Sequence, residues 1–280
     1  MNDYIKKVNI KELEEFPNNP FKLREDEMLR SSIRHNGVIY PILVRPKDTG
    51  GYEIIAGRRR VEECKRVGIE DIPAFIREMD YETAVITLID SNIHREQILP
   101  SEKAFAYKLK LEAIRSQGQR NDLTSRQVVE KLTSADTVGL TLKESGRNVQ
   151  RYIRLTELIP PVLEMVDEGK IAISPAYELS FLLPEEQQEL LDCMEAEDRT
   201  PSLSQSQRLK HLSLDGILSA DKIHEIMRED KPNQKEQVKF QTEKIQKFFP
   251  RNYTADQMEQ VILKLLADWQ RRRERDRGAR

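Results

Sequence analysis

The first hundred residues alternate between helical periodicity and short apolar runs. Apolar residues at helical spacing in Asp26–Asn36 predict a helix. The runs Val38–Val44 and Tyr52–Ile55 flank a Gly-Gly turn and predict a strand pair. A helix at Arg58–Val67, a strand at 72–76 and a helix capped by Asp80 follow. This order predicts a small α/β domain.

From Pro100 onward the pattern predicts helices only. A long helix is expected to break at Gly118 and Asn121. Residues 124–132 and Ser145–Leu158 predict two shorter helices, separated by a loop at 133–143. Two short helices around a turn are typical of helix-turn-helix DNA-binding elements, and such pairs also occur in protein cores.

The last helical pattern, at 254–277, has an apolar stripe that one helix cannot bury alone. We expect it to dock on its own chain or to form a homodimer with a second copy. The stripe consists of Met258, Val261, Ile262, Leu265, Leu266 and Trp269. The predicted fold class is an α/β N-terminal domain, then an all-α helix-turn-helix domain and a small C-terminal helical dimerisation segment. Their bounds are 1–98, 99–212 and 238–280, with a linker at 213–237.

Composition narrows the class of protein. Of the 280 residues, 34% are charged and 38% hydrophobic, which indicates a modest core and a large hydrated surface. Neither a membrane-spanning run nor the apolar region of a signal peptide is present. Two cysteines are too few for a disulfide framework, so we expect a cytoplasmic protein.

Charge is unevenly distributed along the chain. A net charge of −2 disfavours a nucleic-acid partner only if the charges are evenly spread. The segment 269–280 carries six arginines against Glu274 and Asp276. This run is either a solvated helix end or a non-specific contact to DNA.

Two segments contain side chains suited to binding phosphate or a metal ion. A strand ends at Gly57, and Arg58, Arg59 and Arg60 begin the next helix. A helix N-terminus favours an anion, and arginine matches phosphate oxygens, so this corner predicts a phosphate or nucleotide site. The segment 90–96 offers an amide oxygen for a metal and an arginine for phosphate, although helices often end at such residues.

Four ordered motifs together resemble the ParB/Spo0J/Noc family of DNA-segregation and nucleoid-occlusion proteins. They are Gly37–Arg45, Tyr52–Arg60, Ser91–Glu96 and Pro100–Ala104, and the match covers roughly residues 1–180. The resemblance implies a sulfiredoxin-like N-terminal domain that binds CTP with Mg²⁺. It further implies that the nucleotide closes two protomers into a clamp, which slides along double-stranded DNA from a palindromic parS-type site.

The resemblance also assigns candidate residues. The nucleotide would contact Gly57, Arg58, Arg59, Arg60, Ser91, Asn92 and Arg95. Asn92 would hold the metal, whereas Arg58 and Ser91 each stand where the family usually has glutamate. Loss of a carboxylate weakens Mg²⁺ coordination and removes a water-orienting group, so binding is expected to survive better than hydrolysis, and a weak CTPase activity stays open. No cysteine lies in the corner for sulfiredoxin-type chemistry, and Cys64 is expected to be packed.

The helix at Ser145–Leu158 would read DNA. The candidate DNA-binding residues are Lys143, Ser145, Arg147, Asn148, Gln150, Arg151 and Arg154. Arginine can bind guanine and amide side chains adenine, whereas Lys143 and Arg154 suit the phosphate backbone.

These features favour a nucleoid-associated partition protein for a plasmid, a mobile element or a chromosome, with a ParA-type ATPase as a possible partner. The alternative is a sequence-specific transcriptional or copy-number regulator that has lost nucleotide switching. A nuclease or phosphotransferase ranks below both, because the sequence offers no carboxylate cluster and no nucleophile with a partnered base.

Overall fold

The computed structural model describes residues 4–95, 97–121, 135, 138–139, 144–229, 248–250 and 253–278. The chain divides into two compact units, Met1–Glu229 and Asp230–Arg280. The predicted boundary at residue 98 therefore lies inside the first unit, where helices from both sides of it pack together.

A five-stranded mixed sheet forms the first part of this unit. Its order is β1-β5-β3-β4-β2, with β1 and β5 antiparallel, β5 and β3 parallel, β3 and β4 antiparallel, and β4 and β2 parallel. The strands are β1 Tyr4–Asn9, β2 Leu13–Glu15, β3 Ile42–Pro46, β4 Tyr52–Ala56 and β5 Asp71–Ile76. The accompanying helices are α1 Glu27–Asn36, α2 Arg58–Val67 and α3 Tyr81–Asn92.

Strand alternation sends neighbouring side chains to opposite faces of the sheet. Ile54 packs with Val61 and Cys64 of α2 on one face. Ile55 packs with Leu88 of α3 on the other face. The sheet therefore places the start of α2 and the end of α3 close to the same end of β4. The predicted strand pair is confirmed, although β3 begins at Ile42 instead of Val38.

Helices make up most of the remaining described part of the first unit. They are α4 Pro100–Asn121, α5 Gly146–Arg154, α6 Pro160–Asp167, α7 Ile173–Leu179, α8 Pro184–Glu197, α9 Leu203–Leu214 and α10 Ala220–Arg228, with a 3-10 turn at Leu155–Glu157. Their shared core includes Leu155, Leu179, Leu190 and Leu209, all at most 1% exposed.

Two features of this half differ from the sequence prediction. The helix α4 continues through Gly118. Ala135, Val138 and Gly139 are helical, although a loop was expected there. Ala135 and Val138 are buried with Tyr107 of α4. The predicted helix at 124–132 lies outside the described residues.

The predicted linker also begins too early. Within 213–237 the chain forms α10, which carries Ile223, Ile226 and Met227. These three side chains are at most 3% exposed in the main helical core. Burial of an apolar stripe of this kind is incompatible with a solvated linker.

The second unit contains α11, Ala255–Gly278. Leu263, Leu265, Leu266 and Trp269 are each more than half exposed on this helix. None of the helices in the described part of the chain has the length and apolarity that a bilayer span requires.

Candidate nucleotide-binding cleft

A tight corner joins β4 to α2 at Gly57. Its φ is +101°, a left-handed conformation that side chains strain. A Cβ here would lie 2.6 Å from Cγ2 of Ile42, which is fully buried. No side chain caps the N-terminus of α2, so its first N–H groups remain available to an anion.

The end of α3 supplies the second predicted segment. Asn92 is 7% exposed and donates from Nδ2 to the Leu88 carbonyl at 2.7 Å. It also donates to Oγ of Ser91 at 3.0 Å. Both donations use the amide nitrogen and leave the carboxamide oxygen as the remaining acceptor. Ser91 itself donates to the Leu88 carbonyl at 2.8 Å, so its hydroxyl is already engaged.

The two segments converge on one cleft that is partly open to solvent. A third segment, around Phe21, completes its walls. The lining residues are Asn19, Phe21, Lys22, Leu23, Ile54, Ile55, Ala56, Gly57, Arg58, Arg59, Asn92 and Arg95. Five of the seven predicted nucleotide contacts therefore line the cleft, and Arg60 and Ser91 do not.

Two of the lining arginines have spare donors. Arg59 donates from Nη2 to Oδ2 of Asp26 at 2.6 Å, while its buried Nε has no hydrogen-bond partner. The Arg95 guanidinium lies 5.7 Å from the ring centroid of Phe21. Burial and, next, the positive charge of Arg59 lower the pKa of Arg95. The cleft thus has an excess of positive charge that a bound anion would compensate.

Arg60 does not line the cleft. Its guanidinium donates to the carbonyl of Pro41 at 2.9 Å and to that of Tyr40. Burial lowers its pKa. Consecutive helical residues point about 100° apart, which explains why Arg60 and Arg59 have different surroundings. Arg60 therefore holds the segment before β3.

Cys64 is packed, as the sequence predicted. Its side chain is fully buried, and burial raises the pKa of the thiol to about 11. A neutral, buried thiol is a poor nucleophile.

The donor set fits a nucleotide better than a free metal ion. Among the described residues, no cluster of three or more His, Cys, Asp or Glu side chains could hold a metal. None of the described residues that line the cleft is a carboxylate. The oxygen of Asn92 would therefore hold Mg²⁺ together with phosphate oxygens of the nucleotide. The unpartnered Nε of Arg59 and the side-chain-free corner at Gly57 both suit a close phosphate.

The Phe21 wall was missed at the sequence level. Glu102, 4% exposed at the start of α4, accepts from the Lys22 backbone at 2.7 Å and from the Leu99 backbone at 2.9 Å. The only local signal was the turn-forming Asn18-Asn19-Pro20, in which Asn18 has a φ of 56°.

Candidate DNA-contacting residues lie on α5. Ser145 caps this helix by accepting from the Asn148 backbone at 3.2 Å. Val149 is fully buried, whereas Arg147 and Gln150 are exposed. Arg147 and Gln150 are therefore free to approach a base edge or a phosphate. Lys143 lies outside the described residues.

Glu144 organises the start of α5. It accepts from Lys103 of α4 and from Nδ2 of Asn148, the latter at 2.5 Å. Burial opposes its charge, but the hydrogen bonds from Lys103 and Tyr107 prevail and lower the pKa of Glu144. Asn148 is thereby held at the protein surface.

The other two arginines of α5 make intramolecular contacts. Arg151 donates to Oγ of Ser174 at 2.9 Å. Arg154 donates to the Ser180 carbonyl at 2.9 Å and lies 4.3 Å from the ring centroid of Phe181. Nε of Arg154 is also buried, and the contact of this residue to the DNA backbone stays a prediction.

Comparison with known proteins finds relatives in one family. Residues 1–93 match the family model of the ParB N-terminal domain. A probable chromosome-partitioning protein ParB from Pseudomonas putida is 33% identical over 194 residues, covering 65% of this chain and 61% of that protein. Spo0J, a chromosome-partitioning protein from Thermus thermophilus, is 30% identical over 173 residues, covering 61% and 57%. A nucleoid occlusion protein from Geobacillus thermodenitrificans is 40% identical over 105 residues, covering 37% and 34%.

The chain thus spans about three fifths or less of the length of these relatives. Two solved structures of C-terminally truncated ParB from Caulobacter crescentus are also similar. The complex with the centromeric parS site has a TM-score of 0.43 at 21% identity, covering 80% of this chain and 98% of that one. The complex with CTP-γ-S has a TM-score of 0.31 at 26% identity, covering 65% and 94%.

Proposed function

We propose that this chain, whose first 93 residues match the ParB N-terminal domain, is a ParB-like DNA-partition protein that uses CTP and Mg²⁺ as a clamp switch. The observation that carries the proposal is the convergence of the Gly57 corner with Asn92 and Arg95 on one cleft. Its relatives, which include chromosome-partitioning and nucleoid occlusion proteins, support the same class.

Each group has a distinct role in holding the triphosphate. The N–H groups at the start of α2 face the phosphates, and Gly57 lets the backbone approach them closely. Arg59 and Arg95 supply charge from two different elements. Asn92 contributes an oxygen to Mg²⁺, which neutralises phosphate charge when bound.

The same residues favour binding over hydrolysis. General-base chemistry needs a group that orients water, and no carboxylate lines the cleft within the described residues. Ser91, which stands where the resemblance places a glutamate, uses its hydroxyl within α3. These residues fit a switch that releases CTP without hydrolysing it better than they fit an active CTPase.

DNA recognition is assigned to α5 as the second helix of a helix-turn-helix. Arg147 and Gln150 are exposed and suited to base edges or phosphates. A palindromic parS-type site presents two half-sites and therefore needs two protomers. The exposed apolar side chains of α11, including Leu266 and Trp269, supply the homodimer contact. A ParA-type ATPase and the nucleoid are the corresponding partner and location.

Isothermal titration of the full chain with CTP, ATP, GTP and UTP, each with and without Mg²⁺, tests the proposal. Selective, Mg²⁺-dependent binding of CTP is expected. Equal binding of all four nucleotides, or binding of none, would contradict the proposed CTP switch. If DNA binding then persisted without spreading on DNA closed at both ends, the chain would be a sequence-specific regulator of transcription or copy number.

A further inference from the structure

Arg58 lies at the edge of the cleft, but each of its three side-chain nitrogens already has a partner. Nε lies 2.8 Å from Oε1 of Glu15, and Nη2 lies 2.8 Å from Oε2 of the same residue. Nη1 donates to the Phe21 carbonyl at 3.0 Å. A two-point arginine–carboxylate pair fixes orientation as well as distance. Arg58 therefore connects strand β2 to the wall of the cleft.

The segment that Arg58 holds also positions another cation. The ring of Phe21 is 4% exposed and lies under the guanidinium of Arg95. The next residue, Lys22, is held by a different element, since its backbone N–H donates to Glu102 of α4 at 2.7 Å. Arg58 and Glu102 thus both anchor the Phe21–Lys22 wall.

Arg58 differs from the two other arginines of the cleft. Arg59 keeps a buried Nε without a partner, and the charges around Arg95 are mostly positive. The charge of Arg58 is matched by Glu15 at two contacts. Arg58 has five N–H donors, three of which are already engaged within the chain, so turning it toward a phosphate would compete with the ion pair to Glu15 and the bond to Phe21.

We propose that Arg58 is a positioning residue: paired with Glu15, it fixes Phe21 and, through that ring, Arg95 in the geometry that receives a triphosphate. It is not itself a phosphate ligand. The inference rests on the proposed function, because it concerns the same cleft.

A double-mutant cycle tests it, with the full chain titrated calorimetrically against CTP–Mg²⁺ and, separately, against inorganic tripolyphosphate. Arg58→Gln and Glu15→Gln are each expected to lower the affinity for both ligands about tenfold, since either change releases the Phe21–Lys22 wall. The double variant should also bind about tenfold more weakly than the wild type, and not about a hundredfold, because both changes break the same ion pair.

If Arg58 were itself a phosphate ligand, Glu15→Gln would have the opposite effect on affinity. Removal of that carboxylate would free the arginine, so Glu15→Gln would tighten binding while Arg58→Gln weakened it, and this result would overturn the proposal. Arg58→Lys keeps the charge but cannot make all three contacts. It should bind as weakly as Arg58→Gln, and wild-type affinity in this variant would also overturn the proposal.

Glu14→Gln is the matched control. Glu14 lies on the same strand, pairs with Lys47 and does not line the cleft, so unchanged affinity is expected. Thermal melts establish that each variant is folded before titration. If the wild-type chain bound neither ligand, the proposed function itself would fail, and the role of Arg58 with it. If the wild type bound both ligands and Glu15→Gln did so equally well, only the positioning role would fail.

Discussion

A single methyl group at Gly57 tests the corner on which the cleft depends. In Gly57→Ala the new Cβ would lie 2.6 Å from Cγ2 of Ile42 and 3.0 Å from Nη2 of Arg60. Ile42 is fully buried in the sheet and has no open space to move into. Gly68, at the other end of α2, provides a matched control, because its φ is +79° and no heavy atom lies within 4 Å of an added Cβ.

The expected loss of stability follows from these two differences. A side chain in the left-handed region costs about 1–2 kcal/mol, and that cost applies to both glycines. The smaller unfolded-state entropy of alanine is also common to both variants and cancels in the comparison. Overpacking adds about 1–3 kcal/mol at Gly57 alone. The free energy of unfolding of Gly57→Ala should therefore be about 1–3 kcal/mol lower than that of Gly68→Ala.

Urea unfolding followed by far-ultraviolet circular dichroism measures this difference. Titration with CTP–Mg²⁺ should show at least tenfold weaker binding for Gly57→Ala, because the shifted start of α2 carries Arg59 away from the phosphates. Gly68→Ala should bind as the wild type does. Equal stabilities for the two variants would refute the steric argument, and wild-type CTP affinity in Gly57→Ala would refute the role of the corner.

Three further outcomes are expected. Arg147→Ala should weaken binding to a parS-type duplex at least tenfold, measured by fluorescence anisotropy, whereas Lys170→Ala, a change on the exposed turn after α6, should not. Because the pKa of Glu144 is lowered in the folded chain, its stabilising effect is present above its ordinary value of 4.5 and is lost as the pH falls through the folded value. The difference in unfolding free energy between wild type and Glu144→Gln should therefore shrink below pH 4.5, and a constant difference would exclude this origin. Leu266→Asp should convert a dimer into monomers in sedimentation velocity, and an unchanged dimer would place the contact elsewhere.

Elements with a clear period and a glycine at the end were predictable from the sequence. The bounds predicted for α2 agree with the structure, and those of α1 differ by one residue. Both helices have an apolar stripe on one side and a glycine with positive φ after the last turn. Both features are determined by local sequence, so one sequence was sufficient to predict these two helices.

The first two strands were not predicted, for a physical reason. In β1 only Val8 is buried, and in β2 only Leu13. Both are edge strands, which pair on one side and need few apolar residues. Their alternation is therefore too weak to distinguish from a polar loop, and tertiary pairing determines the conformation.

The wall at Phe21–Lys22 could not have been predicted from local pattern. Its contacts come from Arg58, 37 residues away, and from Glu102, 80 residues away. No periodicity relates these positions, and the wall itself is neither helix nor strand. The cleft's position was predictable from the Gly57 corner, whereas its closed side was not.

The triple arginine shows how helical geometry limits what a motif can do. Side chains of consecutive residues on a helix point about 100° apart, so three adjacent arginines cannot all face one ligand. Arg58 is paired with Glu15, Arg60 binds the Tyr40 and Pro41 carbonyls, and Arg59 keeps a buried Nε without a partner. A triphosphate needs more charge than that one residue supplies, and a second arginine has to come from another element. Arg95, which follows α3, meets this need, and for that reason the convergence of two distant segments, more than the arginine run itself, makes the cleft suited to a nucleotide.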